Sequence, residues 1–290
     1  MSLITIFTPT YNRAYTLPKL YDSLCRQIDK DFEWIIVDDG STDNTKDIID
    51  EWIKENKIKI KYFFQENSGK MKAHNFVINV INTEWFLCVD SDDFIVDDCI
   101  QKIKQNILKV KSNKCSGIVA YKGKSVNEKL FDSEFPQKDY STLKNIYAEG
   151  FKGDTTLVFK SEIIKKYHFP NIENENFMTE GYIYDQIDQC YELFILPEIL
   201  TICKYLNDGY TKNIYKIYFK NPISMMLYYE QAYKLEKRFW RKIKIAINFN
   251  CYLIEAKNKK KNYSYEDKLV FKLMYIPGNI LRYRMKRKIK

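Results

Sequence analysis

Leu3 to Phe7 form a mostly apolar run that stops at the polar stretch TPTYNR, the pattern of a buried strand opening into a loop. Behind it the spacing predicts a helix. Thr16 stands where a cap belongs, Pro18 suits a first turn, and Leu17, Leu20, Leu24 and Ile28 recur at helical intervals. The run EWIIV is a second strand that ends abruptly in DDGSTDNT, and a second helix is expected from about Asp43 to Glu55. IKIKYFFQ is a third strand, GKMKAHNFVINVI a helix and EWFLCV a fourth strand. Strands alternating with helices imply βαβ units, so the fold class expected is α/β: a doubly wound, mostly parallel sheet covered on both faces.

Beyond residue 100 the rhythm loosens. A helix near Asp98 to Val110 and a strand at GIVAYKG still fit the sheet, whereas residues 123–150 mix charges with little periodicity. DTTLVFK reads as a strand, EGYIYDQIDQCYEL as a helix, and FILPEILTICKYL as an extended segment broken by Pro197. YLNDGYTKN is a turn around Gly209 or a loop closing near a site. From Pro222 onward the signal is helical, with Met225, Leu227, Tyr228, Ile243, Ile247, Tyr252 and Leu253 as inner-face positions. Without repeats or a Gly/Ser linker, the chain divides into a body of residues 1–220 and a helical C-terminal extension of residues 221–290.

Composition narrows the class. The 290 residues, 45% hydrophobic and 29% charged, describe a globular chain able to bury a sizeable core. No run approaches the roughly eighteen apolar residues of a membrane span, and the N-terminal stretch lacks the basic start of a signal peptide, so a cytoplasmic location is expected. Seven scattered cysteines without a CxxC pair read as reduced thiols, neither disulfide framework nor zinc site. The net charge of +9 is uneven: residues 231–290 hold 18 Lys and Arg against 4 Asp and Glu, while residues 1–230 hold 29 against 34. Such a tail is expected to rest peripherally on an anionic membrane surface, the alternative being a solvated basic face packed through its Ile, Leu and Tyr side chains. Nucleic acid is excluded as a partner because the body is acidic and no reading motif is present.

Ligands of open parallel sheets bind outside the carboxyl ends of the strands. Those ends carry Thr8, Pro9, Thr10 and Tyr11, then Asp38, Asp39 and Gly40, then Asp90, Ser91, Asp92 and Asp93. Each stretch alone suits an ordinary turn; three together point to one crevice. The carboxylates Asp90, Asp92, Asp93, Asp97 and Asp98 repel one another unless a cation, a helix N-terminus or solvent relieves them. A calcium loop beginning at Asp90 fails, because Phe94, Ile95 and Gln101 occupy positions that need a ligand, a glycine and a glutamate. A phosphatase with Asp90 as nucleophile and Asp92 as acid fits less well, since the pair follows the fourth strand and Phe94 stands where a small hydroxyl residue is wanted. The remaining reading is a divalent cation, Mn²⁺ or Mg²⁺, held through one or two carboxylates with water and phosphate oxygens completing its shell. Asp97 and Asp98 suit the cap and first turn of the next helix.

TPTYNR, IIVDDGSTDNT, NSGKMKAHN and FLCVDSDD, in that order, resemble the nucleotide-sugar-binding half of the family 2 glycosyltransferases, firmly over residues 3–100 and weakly to about residue 220. The resemblance implies a GT-A, Rossmann-like catalytic domain over residues 1–220 that inverts the anomeric centre while moving a sugar from a nucleotide diphosphate donor, in the first place a UDP-sugar. The acceptor implied is a hydroxyl of a glycan or lipid-linked glycan, as in surface polysaccharide synthesis. Carried over by position, Thr8, Pro9 and Tyr11 line the base and ribose, Asp38 and Asp39 meet the uracil edge, and Lys70 and Asn75 approach base or phosphates. Asp90, with Ser91 beside it, and Asp92 match the DxD signature, Asp90 at ribose or metal-bound water and Asp92 on the metal. The family's general base is an acidic residue, often Glu-Asp, at a helix start; here Glu180 matches the first letter, Gly181 replaces the second, and Asp185 is the second choice. His74 reads as incidental to its helix, and Asp154 as either part of an acceptor pocket or a turn. Competing readings are a sugar-nucleotide nucleotidyltransferase, whose glycine-rich first loop TPTYNRAYT lacks, and a basic surface-binding module without catalysis.

Overall fold

In the computed structural model, which describes residues 2–110, 112–204, 210–259 and 269–289, every residue of β1 (Ile4–Thr10) and β2 (Phe32–Asp38) is buried. Both faces of these strands are covered, which is why their sequences run apolar instead of alternating. The stretch around Gly209 lies outside the described residues. The other strands are β3 (Ile60–Phe64), β4 (Trp85–Cys88), β5 (Phe94–Ile95), β6 (Cys115–Ser125), β7 (Glu128–Lys129), β8 (Tyr140–Ser141), β9 (Thr155–Lys160) and β10 (Glu192–Ile202). One sheet takes them in the order β3-β2-β1-β4-β9-β6-β10-β5, with β7 on β6 and β8 on β10.

Pairing is parallel for β3-β2-β1-β4 and for β6-β10. Between these blocks β9 runs antiparallel to both β4 and β6. The sheet is therefore mixed, a feature that the apolar runs GIVAYKG and DTTLVFK could not specify because burial pattern does not encode strand direction. Pro197 interrupts no strand: the pairing of β10 with β6 shifts register between Leu196 and Ile199, so the residue without an N–H sits at a bulge.

The connecting helices are α1 (Leu17–Cys25), α2 (Thr45–Glu55), α3 (Lys70–Val80), α4 (Cys99–Asn106), α5 (Leu143–Ala148) and α6 (Ser161–Ile164). Leu17, Leu20 and Leu24 of α1 are fully buried, but Ile28 lies past its end and is exposed. Thr16 occupies the cap position, yet its hydroxyl donates to the Arg13 carbonyl and not to the helix. Asp98 likewise precedes α4 without a capping bond; it pairs with Lys102, and Asp97 pairs with Arg26. Tyr21, Trp34 and Trp52 stack beneath α1 and α2, with 4.3 Å between the Tyr21 and Trp52 rings. All seven cysteines are free thiols, four of them buried.

After these come α7 (Gly181–Ile187), α8 (Tyr210–Lys220), α9 (Pro222–Leu235), α10 (Phe239–Asn258), α11 (Leu269–Leu273) and α12 (Tyr275–Arg287). Met225, Tyr252 and Leu253 are buried as expected of inner-face residues, while Leu227, Tyr228, Ile243 and Ile247 are half-buried. Compactness separates Met1–His168 with Ile187–Lys204 from Phe169–Gln186 with Tyr205–Lys290. The first unit holds the sheet. The second joins Phe169–Gln186, which includes nearly all of α7, to the C-terminal helices, a different partition from the break at residue 220 that composition suggests.

Candidate active site

The carboxyl ends of the parallel strands β1, β2 and β4 deliver three loops, and hydrogen bonds between those loops fix their shape. Asn12, at φ +52°, receives the Thr42 N–H on its side-chain oxygen at 2.7 Å and donates its own N–H to Ser41 Oγ at 2.8 Å. Asp38 accepts the Ser41 N–H at 2.8 Å and the Tyr62 hydroxyl at 2.9 Å. Asp39 accepts the N–H groups of Ser68 and Gly69, both at 2.8 Å, and the Gln65 amide at 2.6 Å. Gly40 turns at φ +85°, and a Cβ there would lie 2.8 Å from the Asn67 nitrogen, so a side chain at this point would push the two loops apart.

The sequence-predicted residues thus divide by what already occupies them. The Thr8 hydroxyl accepts the Trp34 indole N–H at 2.9 Å, deep in the sheet. Pro9 is buried and Tyr11 exposed at the mouth of the loop. Both oxygens of Asp38 and of Asp39 serve loop geometry, so these carboxylates shape the crevice that any ligand would meet. Thr10 is buried, and its hydroxyl lacks a hydrogen-bond partner among the described residues, an orphan polar atom at the end of β1. Lys70 opens α3 and Asn75 lies one turn further along it.

The three carboxylates Asp90, Asp92 and Asp93 of the loop after β4 are relieved unequally. Lys70 Nζ lies 2.6 Å from Asp90 Oδ1. Burial opposes ionisation of Asp90, but Lys70 and Lys122 outweigh it and hold the carboxyl at about 2. Lys122 Nζ, from β6, lies 2.6 Å from Asp93 Oδ2, and both side chains are well shielded. Burial works against that ammonium, yet Asp93 and Asp90 keep it charged and raise it above the ordinary lysine range. Asp92, half-buried, has no lysine partner among the described residues. Burial first, then the charges of Asp90 and Asp93, push its carboxyl up. Ser91 beside it is buried.

Hard carboxylate oxygens under mutual repulsion fit Mg²⁺ or Mn²⁺. Among the described residues no group of three or more His, Cys, Asp or Glu side chains is placed to hold a metal ion.

In the second unit Glu180 stands at the start of α7, its carbonyl accepting the N–H groups of Ile183 and Tyr184 at 3.0 and 3.1 Å. The phenol of Tyr218 is raised by burial and then by Glu180, that of Tyr228 by burial and then by Asp185. A Cβ added to Gly181 would lie 3.4 Å from the Tyr228 ring and hydroxyl. The segment is fixed from behind: buried Glu175 accepts the N–H groups of Ile223 and Ser224 at 3.0 and 2.7 Å and the Ser224 hydroxyl at 2.7 Å, at the start of α9.

His74 is a core residue, packed edge-on against Phe7 and Phe86. Asp154 stands immediately before β9. Sequence reading missed Lys122, Asn12 and Glu175. Lys122 was visible only as a charge interrupting an apolar strand, and nothing local ties it to Asp93, twenty-nine residues earlier.

Comparison with known proteins identifies the family. The family model described as glycosyl transferase family 2 matches residues 5–167. A Haemophilus influenzae protein described as an uncharacterized glycosyltransferase is 33% identical over 178 residues, covering 61% of this chain and 70% of that protein. The GalNAc(5)-diNAcBac-PP-undecaprenol beta-1,3-glucosyltransferase of Campylobacter jejuni is 28% identical over 190 residues, 61% of this chain but only 56% of that protein. The crystal structure of S. aureus TarS 1-349 in complex with UDP-GlcNAc matches with a TM-score of 0.62 at 19% identity, covering 98% of this chain and 81% of that one, a likeness of fold. With a family model matched over more than half its length, the chain belongs to glycosyl transferase family 2.

Proposed function

We propose that the protein is a metal-dependent, inverting glycosyltransferase that moves a sugar from a UDP-sugar to a hydroxyl of a glycan or lipid-linked glycan, as in surface polysaccharide synthesis. The observation that carries this reading is the uneven relief of the acidic loop: among the described residues Asp90 and Asp93 each have a lysine at 2.6 Å, whereas Asp92 has none and is offset only in part by the charge of Arg13. Asp92, with Asp90, would hold Mn²⁺ or Mg²⁺ beside the donor diphosphate. When bound, the cation supplies positive charge where the leaving diphosphate becomes more negative.

The chain's own residues do the rest. Thr10, Tyr11 and the loops shaped by Asp38 and Asp39 bind base and ribose, and Lys70 and Asn75 face the phosphates. The acceptor oxygen attacks the anomeric carbon from the side opposite the diphosphate, the bond from that carbon to the diphosphate oxygen breaks, and UDP leaves with the electron pair. Glu180 accepts the hydroxyl proton as the new bond forms, with Asp185 the second choice. The names of relatives support the acceptor class: one acts on an undecaprenol-linked glycan, and another is a poly(ribitol-phosphate) beta-N-acetylglucosaminyltransferase.

The protein would work in the cytoplasm, peripherally at the inner face of the membrane through its basic C-terminal helices. No described helix is long and apolar enough to cross a bilayer. A screen of UDP-sugars for slow release of UDP with and without Mn²⁺ tests the donor assignment. One UDP-sugar turned over only with metal is expected; turnover of none, or turnover untouched by chelator, would refute it.

A further inference from the structure

The inward face of α12 is settled by what it touches. A Cβ added to Gly278 would lie 2.5 Å from Asn250 Cβ and 3.0 Å from the Ile247 carbonyl, so α12 crosses α10 at near backbone contact there. Further along, Arg282 Nε and Lys286 Nζ lie 2.9 and 2.8 Å from Glu255 Oε2, and Met285 is buried. At 100° per residue, Gly278, Arg282 and Met285 share one side of the helix.

The opposite side then carries Ile276, Ile280, Tyr283 and Arg287, within about 60° of one another. Three of these are large side chains, mainly apolar, that stand exposed among the described residues, at 71%, 51% and 61%. Leu273, at the end of α11, is 62% exposed as well. A helix already packed by one face on a buried partner gains nothing from a second apolar stripe in water. The stripe is flanked by cations: Arg284 and Arg287 are exposed, and the Arg287 guanidinium lies 5.1 Å from the centre of the Tyr283 ring. Exposed apolar side chains and an aromatic ring set among arginines match the boundary between lipid headgroups and acyl chains.

We propose that the outward face of α12, with Leu273 before it, is the membrane-docking surface, inserting Ile276, Ile280 and Tyr283 among the acyl chains of an anionic leaflet while Arg284 and Arg287 meet the headgroups. This deepens the membrane reading above and rests on it. It predicts binding that depends on these six side chains and not on the total basic charge of the tail. Charge alone would attract the protein through any of its 18 cations between residues 231 and 290.

The test is flotation of the full chain with vesicles of phosphatidylcholine alone and with about one third phosphatidylglycerol. Wild type is expected to float with the anionic vesicles and to lose binding by about tenfold in Ile276→Asp/Ile280→Asp, with UDP affinity and melting unchanged. Arg284→Gln/Arg287→Gln should float less at physiological salt. If wild type floats and Ile276→Asp/Ile280→Asp floats equally, the membrane reading stands and this face is overturned as its docking surface. If wild type does not float with anionic vesicles, both fall. If the stripe variant instead breaks up a dimer of the wild type, the stripe is an interface between copies and the proposal is wrong.

Discussion

Replacing Lys122 by methionine removes the ammonium from a carboxylate that has little other access to relief. The Asp93 side chain is 2% exposed and that of Lys122 16%, with 2.6 Å between Nζ and Oδ2. Two unit charges about 4 Å apart interact by about 4 kcal/mol at an effective dielectric near 20. Breaking a buried pair by deleting one partner costs about 3–5 kcal/mol, because the other charge stays buried without compensation. Lys122→Met should therefore lower the unfolding free energy of the protein by roughly 3 kcal/mol or more in urea melts followed by circular dichroism. Removing both charges, in Lys122→Met with Asp93→Leu, should recover most of that loss, since the cost lies in the orphaned carboxylate. The exposed pair of Arg26 and Asp97, whose side chains are 53% and 55% exposed, supplies the comparison: Arg26→Gln should cost less than about 1 kcal/mol. Lys122 also helps to hold Asp90 ionised, so Lys122→Met should weaken UDP binding in the presence of Mn²⁺. A Lys122→Met variant within 1 kcal/mol of wild type would refute the reasoning.

Further outcomes concern acid stability and the base. His74 is 7% exposed, and burial, followed by the charges of Lys70 and His168, pushes it down to about 3. The unfolded chain takes up that proton below about pH 6.5 while the folded chain refuses it, so stability present above that pH is lost as pH falls toward 3, by about 1.4 kcal/mol per unit. Between pH 6.5 and 5 the wild type should thus lose about 2 kcal/mol more than His74→Leu in matched urea melts; equal slopes would contradict a neutral buried imidazole. Glu180→Gln should cut transfer by about 10²-fold or more with donor binding nearly unchanged, and Asp185→Asn should retain transfer; the reverse pattern would move the base one turn along α7.

Most of the first hundred residues could be read directly, because there the physics is local. Apolar runs of five to seven residues that end in Thr-Pro, Asp-Asp-Gly or Asp-Ser-Asp mark strands and their carboxyl ends, and Leu17, Leu20 and Leu24 mark the helix between the first two. Antiparallel β9 was not legible, since burial on both faces gives the same apolar run in either direction. Nor was the partition that joins Phe169–Gln186 to the C-terminal helices, which depends on Glu175 reaching Ile223 and Ser224, forty-eight and forty-nine residues away. The acidic loop shows the same limit: five aspartates pose the question of relief, but the answer lies in Lys70 and Lys122, brought in by α3 and β6. Asp38 and Asp39, expected at the uracil edge, also accept hydrogen bonds from backbone N–H groups and side chains of the adjacent loops, a use that residue type alone does not reveal.

The central claim is that Asp92 is the carboxylate left for a cation beside the donor diphosphate. Titration of UDP into wild type and Asp92→Asn, each with Mn²⁺ and with chelator, tests it most directly. Tight binding by the wild type only with Mn²⁺, and weak, metal-indifferent binding by Asp92→Asn at an unchanged melting temperature, is the result predicted. Equal UDP affinity of the two proteins at saturating Mn²⁺ would contradict it.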